Sequence, residues 1–140
     1  MQLKDIMTRE VETIPPDASL QEASQKMRSF DIGFLPVCEK SRCIGVITDR
    51  DIIIRAIADG RNPQATPVRA VMTTQVIHCS EDEEVRTAAK TMEENQVRRI
   101  LVLDENEHPI GVCSIGDLTL NLDDLSLASE VLHEVSKHGW

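Results

Sequence analysis

Apolar residues recur at helical spacing in two separate stretches of the chain. They are Leu20, Ala23, Met27 and Phe30 in the first stretch, and Val85, Ala88, Ala89 and Met92 in the second. Because a spacing of three to four residues places side chains on one face of an α-helix, each stretch predicts a helix with one buried face. Ser19 and Glu22 have the spacing of a capping box, which predicts where the first helix begins.

Short extended segments are predicted around these helices. Residues 11–14 and 76–79 are expected to be strands that lead into the two helices, and apolar runs at 34–38 and 43–47 follow the first helix. The polar residues 39–42 between those runs predict a hairpin. Pro36 lacks a backbone donor, so we expect it at a sheet edge or a strand end.

A further helix is predicted to begin after Thr48 and to stop at Gly60, because glycine tolerates the left-handed backbone common at helix C-termini. Its inward residues are expected to be Ile52, Ile53, Ala56 and Ile57. Residues 60–69 contain two prolines and little periodicity, which favours a connection between two parts of the chain.

The chain is an internal duplication. At an offset of 65, residues 7–37 align with 72–102 without a gap, and seven positions are identical where chance would give roughly two. At an offset of 66 the match resumes with Gly45/Gly111 and Asp51/Asp117. The sequence therefore predicts an α+β fold of two β-α-β-β-α repeats, at residues 1–62 and 63–122.

The tail at 123–140 has no counterpart in the first repeat. An amphipathic helix ending at Lys137-His138-Gly139 is predicted there from Leu125, Ala128, Leu132 and Val135. The sequence does not decide whether this helix completes a dimer interface or contacts another protein.

Composition narrows the classes of function. Hydrophobic residues make up 41% of the chain, and 24 acidic against 15 basic residues leave a formal net charge of −9. Nucleic-acid binding is not expected, since it needs surplus basic residues and stacking aromatics. No apolar stretch approaches the roughly 20 residues of a membrane span, and the N-terminus does not resemble a secretory signal. We therefore expect a cytoplasmic protein with no membrane partner.

The four cysteines, Cys38, Cys43, Cys79 and Cys113, form no C-x-x-C pair. In a reducing compartment such residues usually serve as small buried hydrophobic side chains. A thiol or metal sensor is the alternative, and it would need these cysteines to converge with histidine.

Each repeat carries the motif G-x-x-[ST]-x-x-D where a strand is predicted to lead into a helix. It comprises Gly45, Thr48 and Asp51 in the first repeat, and Gly111, Ser114 and Asp117 in the second. A hydroxyl followed three residues later by a carboxylate is how many helix starts are capped. The same two groups can also bind a vicinal diol, as an acidic residue binds ribose in dinucleotide sites. One residue set can serve both roles.

Together these features resemble a tandem cystathionine-β-synthase (CBS) domain pair of the stand-alone bacterial or archaeal kind. The resemblance covers about residues 3–120 and rests on the duplication, the openings at 5–8 and 71–73, Gly33-Phe34-Leu35-Pro36-Val37 and residues 44–52. It implies a Bateman module, whose two repeats form two clefts that commonly bind adenosine nucleotides. The implied function is a ligand sensor for AMP, ADP or ATP that uses no cofactor.

The family's contacts, carried over position by position, imply two unequal clefts. The first would bind ribose with Thr48 and Asp51, and adenine near Val11, Glu12, Ile32 and Val46. The second and weaker cleft would bind ribose with Ser114 and Asp117, and the base near Val76, Ile77, Val97 and Val112.

Phosphate binding is expected to distinguish the clefts. Similar proteins often contact phosphate with basic residues from the other repeat, which here are Arg98 and Arg99; their counterparts, Gly33 and Phe34, carry no charge. We therefore expect the Thr48/Asp51 cleft, completed by both arginines, to bind a phosphorylated adenosine. A solvated strand edge or an ion pair with carboxylates is the alternative for these arginines.

Catalysis is not expected, because the histidines are scattered and no glycine-rich phosphate loop is present. The favoured function is a sensor that signals through the conformation of a homodimer and acts on an unidentified protein target. The apolar surface of residues 52–54 exceeds what one core face needs and favours dimerisation. A structural interaction module without a ligand is the alternative.

Overall fold

The computed structural model describes residues 1–137. Its elements in chain order are α1 (Leu20–Phe30), β1 (Phe34–Glu39), β2 (Arg42–Thr48), α2 (Asp49–Ile52), β3 (His78–Cys79), α3 (Val85–Asn95), β4 (Arg99–Leu103), β5 (Pro109–Ser114), α4 (Ile115–Asn121) and α5 (Leu125–Ser136). A π-helical turn at Ile53–Ile57 continues α2, and single 3₁₀ turns lie at Leu3–Asp5 and Val68–Ala70. The tandem arrangement of helices and strands confirms the predicted fold class.

Two compact units make up the chain. The first unit is Glu12–Val76, and the second unit combines Met1–Val11 with the chain from Ile77 onward. Each unit thus contains the helices and strands of one repeat together with the opening segment of the other. The repeat limits at 1–62 and 63–122 describe the sequence duplication and stay a prediction.

The first unit contains the predicted hairpin. β1 and β2 pair antiparallel, and Lys40 and Ser41 form the turn with φ values of 53° and 68°, the left-handed pair that suits a two-residue hairpin. The strand predicted at 11–14 is wrong in extent, because only a single bridge joins Ile14 to Val37. Pro15 and Pro16 follow Ile14 directly and have no N–H with which to continue the pairing.

Pro36 lies inside β1 opposite Val46. Val46 exchanges its backbone hydrogen bonds with Thr73, so the Pro36–Val46 pair is one that carries no hydrogen bond between the strands. The missing donor of Pro36 therefore interrupts no bond between β1 and β2.

The core of the first unit lies between the helices and the hairpin. It includes Leu20, Ala23 and Met27 of α1, with Leu35, Val37, Ile47, Ile52, Ala56, Val68 and Val71. Three predicted inward residues are instead exposed, namely Phe30, Ile53 and Ile57, at 51%, 55% and 46%. Ile52 and Ala56 lie one turn apart and form a narrow buried stripe. Ile53 and Ile57 follow them directly and are therefore rotated by about 100° away from this stripe. Phe30 is the last residue of α1, before the left-handed Asp31.

The second unit has a three-stranded sheet in the order β3-β4-β5, with β3 parallel to β4 and β5 antiparallel. Cys79 and Cys113 are buried in its core at the positions that Ile14 and Ile47 occupy in the first unit. The prediction of buried, hydrophobic cysteines is confirmed for these two. It is wrong for Cys38 and Cys43, which are only half-buried because they lie near the hairpin tip.

The C-terminal helix α5 packs on its own unit. Its buried residues Leu127, Val131 and Val135 form a cluster with Ala89 of α3. The predicted face is therefore wrong at Leu125 and Leu132, which are 82% and 54% exposed. Apolar residues occur on two faces of this helix. Contact with α3 buries the face that carries Leu127, Val131 and Val135, which are spaced four residues apart. The predicted end at His138 and Gly139 lies outside the described residues.

Candidate functional site

Thr48 and Asp51 form a reciprocal cap where β2 leads into α2. The backbone N–H of Asp51 donates to Thr48 Oγ1 at 3.0 Å, and the backbone N–H of Thr48 donates to Asp51 Oδ2 at 3.1 Å. Thr48 has extended backbone angles, as a residue at this position requires. The capping interpretation of the motif is confirmed.

Ser114 and Asp117 repeat this geometry where β5 leads into α4. The N–H of Asp117 donates to Ser114 Oγ at 3.1 Å, and the N–H of Ser114 donates to Asp117 Oδ2 at 2.9 Å. In both junctions the cap occupies Oδ2 of the carboxylate, which leaves Oδ1 to contact another group. A carboxylate whose second oxygen is not used by the cap can accept hydrogen bonds from a diol.

Arg55 is a residue of this region that the sequence analysis missed. Its Nε lies 3.8 Å from Asp51 Oδ1, and its Nη1 donates to the carbonyl of Val71 at 3.2 Å. Arg55 thus joins the Thr48/Asp51 junction to the opening segment of the second repeat. The i, i+4 spacing from Asp51 could have indicated this contact. The position aligned with Arg55 in the second repeat is Asn121, so the two junctions differ in charge.

The opening segments pair with the second strand of each hairpin. Thr73 and Val46 exchange two backbone hydrogen bonds of 2.8 and 2.9 Å, and Thr8 and Val112 exchange two of 2.9 and 3.0 Å. Val46 and Val112, both predicted to lie near a bound base, therefore have backbone groups that are already satisfied. Contact with a ligand would have to use their side chains, which are half-buried.

The remaining predicted base-contacting residues are distributed between the units. Glu12 and Ile32 lie in the first unit, and Ile77 and Val97 lie in the second. Glu12 Oε2 is 3.4 Å from Lys26 Nζ, an ion pair that fixes its carboxylate. The chain passes from one unit to the other at Val11/Glu12 and again at Val76/Ile77.

Arg98 and Arg99 are exposed at the start of β4. Arg99 is paired in register with Ser114, and the carbonyl of Arg98 accepts from the N–H of Ile115 at 2.8 Å. Neither arginine has an ion pair within residues 1–137, which favours the solvated alternative over a bridge to carboxylates. In the first unit Phe34 is paired with Thr48. The uncharged Phe34 and the charged Arg99 therefore occupy equivalent positions in the two units.

Metal and membrane sites find no support in the part of the chain that the structure describes. Within residues 1–137 no group of three or more His, Cys, Asp and Glu residues is arranged to hold a metal ion. No helix in this range is both long and apolar enough to cross a bilayer.

Comparison with known proteins identifies the family. The CBS domain profile matches residues 3–57 and 68–124. The CBS domain-containing protein YhcV of Bacillus subtilis is 35% identical over 134 residues, which cover 96% of this chain and 94% of that protein.

Two solved structures are also similar. Hypoxic Response Protein I, with two coordinated zinc ions, has a TM-score of 0.77 and 31% identity, covering 87% of this chain and 99% of that one. The CBS domain pair of protein MJ0100, in complex with 5′-methylthioadenosine and S-adenosyl-L-methionine, has a TM-score of 0.76 and 26% identity, covering 86% and 94%. With its duplicated hairpins and junctions, the chain belongs to the CBS domain family as a tandem pair.

Proposed function

We propose that this CBS pair is a non-catalytic regulatory module that binds an adenosine nucleotide. The observation that carries the proposal is the duplicated junction at a helix start, in which a hydroxyl and a carboxylate each accept a hydrogen bond of 2.9–3.1 Å from the other residue's backbone N–H. The MJ0100 pair supports it, since both of its ligands contain adenosine. In our proposal Thr48 and Asp51 bind the ribose of AMP, ADP or ATP, and Ser114 and Asp117 form the weaker second site.

The bases would be held by side chains at the positions that the family resemblance implies. The first site would use Val11, Glu12, Ile32 and Val46, and the second Val76, Ile77, Val97 and Val112. This assignment rests on family resemblance and on the side-chain exposure that each unit leaves at these positions.

Phosphate is proposed to bind Arg98 and Arg99. Both guanidinium groups are exposed and have no ion pair within the described range, so no existing salt bridge must break. A charge-assisted hydrogen bond from arginine to phosphate is worth about 1.5–3 kcal/mol. Loss of one such arginine should therefore weaken nucleotide binding roughly ten- to a hundredfold.

Calorimetry with matched ligands tests the phosphate contact. AMP and the phosphate-free 5′-methylthioadenosine are titrated into the wild type, Arg99→Ala and the control Lys40→Asn. Lys40 is a suitable control because it lies at the hairpin tip, at the opposite end of the strands from Thr48, and because asparagine tolerates its positive φ of 53°. We expect Arg99→Ala to weaken AMP alone. Equal losses for both ligands, or no loss, would remove the phosphate role.

A separate experiment is needed to decide whether Arg99 serves the Thr48/Asp51 junction or the Ser114/Asp117 junction. Its register with Ser114 favours a second assignment, in which it serves the Ser114/Asp117 site. Double-mutant cycles for AMP binding combine Arg99→Ala with Asp51→Asn or with Asp117→Asn. The junction whose cycle shows a coupling of more than about 0.5 kcal/mol shares the ligand with Arg99.

Homodimerisation is the second part of the proposal. Ile53, Ile54 and Ile57 are 55%, 52% and 46% exposed on one short helical segment, a cluster that suits burial against a second copy. Sedimentation should show a dimer for the wild type and a monomer for Ile54→Glu. If the dimer forms but no adenosine compound changes the thermal stability, the chain is a structural interaction module, because a ligand at 100 times its Kd should stabilise by about 2.7 kcal/mol.

A further inference from the structure

Cys38 and Cys43 face each other across the β1–β2 hairpin. They are partners in the strand register, one position inside the Glu39–Arg42 pair that flanks the turn. The N–H of Cys38 donates away from β2, to the carbonyl of Ile14 at 3.0 Å, so this is a pair without hydrogen bonds between the strands. Such pairs have Cα atoms about 4.5 Å apart, within the roughly 4.4–6.8 Å that a disulfide spans.

The two thiols are in contact and partly accessible. The Cys38 and Cys43 side chains share a hydrogen bond, and Cys43 Sγ lies 3.4 Å from the carbonyl oxygen of Gly45. Both residues are half-buried, whereas Cys79 and Cys113 are 3% and 0% exposed. Burial raises the pKa of Cys79 to about 12 and that of Cys113 to about 11. The hairpin pair is therefore the accessible one.

We propose that Cys38 and Cys43 are a modification site at which a small-molecule disulfide converts two thiols into a cross-strand disulfide. In the first step, one cysteine thiolate attacks a sulfur of the small molecule. The S–S bond breaks, one small thiolate leaves and takes a proton, and a mixed disulfide forms. The second cysteine then loses its proton and attacks the protein sulfur of the mixed disulfide, whose S–S bond breaks and releases the remaining small thiolate, which takes a proton. Two protein thiols are oxidised, and one small disulfide is reduced to two thiols.

The local environment holds the proton of one of the two thiols. The hydrogen bond with Cys43, burial and the charge of Cys43 hold the pKa of the Cys38 thiol above its ordinary value. When Cys43 is in the mixed disulfide, it no longer carries the charge that opposes ionisation of Cys38, and Cys38 can complete the reaction.

The site is confined to the first repeat. The equivalent register pair in the second unit is Leu103 and Pro109, which contains no sulfur. A reagent that oxidises this chain through the proposed site will therefore modify only one of the two hairpins, in the unit that contains Thr48 and Asp51.

Mass spectrometry of the full chain tests the proposal. The native protein is incubated with oxidised glutathione, blocked with N-ethylmaleimide and digested with trypsin, which cuts after Lys40 and Arg42. We expect peptide 29–40 to be joined by a disulfide to peptide 43–50. Cys79 and Cys113 should be alkylated only after unfolding. Separate alkylated peptides, or glutathione retained on the wild type, would overturn the proposal.

Two single variants give an independent readout. Cys38→Ser should retain glutathione on Cys43 as a stable mixed disulfide, because the second thiol is missing. Cys43→Ser should likewise form no cross-strand disulfide, since it removes one of the two thiols. If both variants react at the wild-type rate and neither retains glutathione, the two cysteines do not act together. The wild-type experiment decides the outcome even if a variant folds poorly.

Discussion

Lys4 Nζ lies 3.1 Å from Asp82 Oδ1, and the first unit reproduces this ion pair with Arg69 Nε at 3.4 Å from Asp17 Oδ1. The offset of 65 relates both partners of one pair to those of the other. In each pair the base belongs to a 3₁₀ opening segment and the acid to the turn before a helix. The opening segments are thus exchanged between the repeats in a matched way.

Apolar burial, rather than these ion pairs, should stabilise the exchanged segments. Leu3 is fully buried in the second unit, so Leu3→Ala should cost about 2–5 kcal/mol of unfolding free energy. Lys4→Ala should cost less than about 1 kcal/mol, because the pair is exposed. Leu3→Ala should speed amide hydrogen exchange in residues 77–121 before the rest of the chain. Val68→Ala should speed it first in the first unit. Equal costs for Leu3 and Lys4 would contradict this.

The caps should contribute separately to stability. Ser114→Ala and Thr48→Ala each remove the acceptor for a helix N–H, and each should lower the unfolding free energy by about 1 kcal/mol. Ser29→Ala is the control, because Ser29 is exposed within α1 and alanine favours a helix. Urea unfolding measures all three variants. A loss as large for Ser29→Ala would show that the hydroxyl bonds at the junctions are unimportant.

Gly45 and Gly111 should differ in their tolerance of a side chain. A Cβ at Gly45 would lie 2.8 Å from the carbonyl oxygen of Thr73, whereas at Gly111 it would collide with the flexible side chain of Met7. Gly45→Ala should therefore destabilise by about 1–3 kcal/mol and Gly111→Ala by less, because a side chain can move where a paired backbone cannot. Thermal unfolding compares the two, and the reverse order would contradict the argument.

The α3–α5 contact should weaken as pH rises. Burial, a hydrogen bond with Glu130 and the charges of Glu130 and Glu134 raise the pKa of Glu93, against a smaller opposing effect of Lys90. Because the pKa of Glu93 is raised in the folded state, its contribution to the free energy of unfolding is fully present below the ordinary glutamate pKa. This contribution is lost as pH rises through the pKa of Glu93 in the folded protein. Glu93→Gln should reduce this pH dependence, measured by thermal unfolding.

Glu94→Gln is the control for that experiment, since Glu94 is an exposed neighbour on α3. It removes the same charge without removing the contact with Glu130. If Glu93→Gln and Glu94→Gln change the pH dependence equally, net charge rather than the carboxyl pair is responsible.

Local patterns predicted much of the fold. The capping box at Ser19, the hairpin and the buried residues of α1 and α3 were all expected. Phe30 was expected to be buried and is exposed. These features depend on residues within a few positions of each other, where spacing and turn chemistry are sufficient. The Thr48/Asp51 and Ser114/Asp117 caps belong to the same class, and Arg55 could have been added by the same spacing argument.

Other features depended on contacts that span the chain. The buried face of α5 was wrong because Ala89 of α3, and not the helix itself, selects Val131 over Leu132. The leading strand of the first repeat was predicted too long, because its pairing with β1 is limited to the single bridge between Ile14 and Val37. The contact of Cys38 with Cys43 could not be predicted without the register of the hairpin, which shifts between Val37 and Cys38.

By itself, the sequence determined the duplication, the order of helices and strands, and the chemistry at each helix start, since all three are written in local spacing and in self-similarity. Only the tertiary structure decided that Thr8 and Thr73 pair with the other repeat's strands, that Arg99 lies beside Ser114, and that two thiols meet at one hairpin. These relations arise from burial and backbone pairing between distant residues, and no short-range pattern records them.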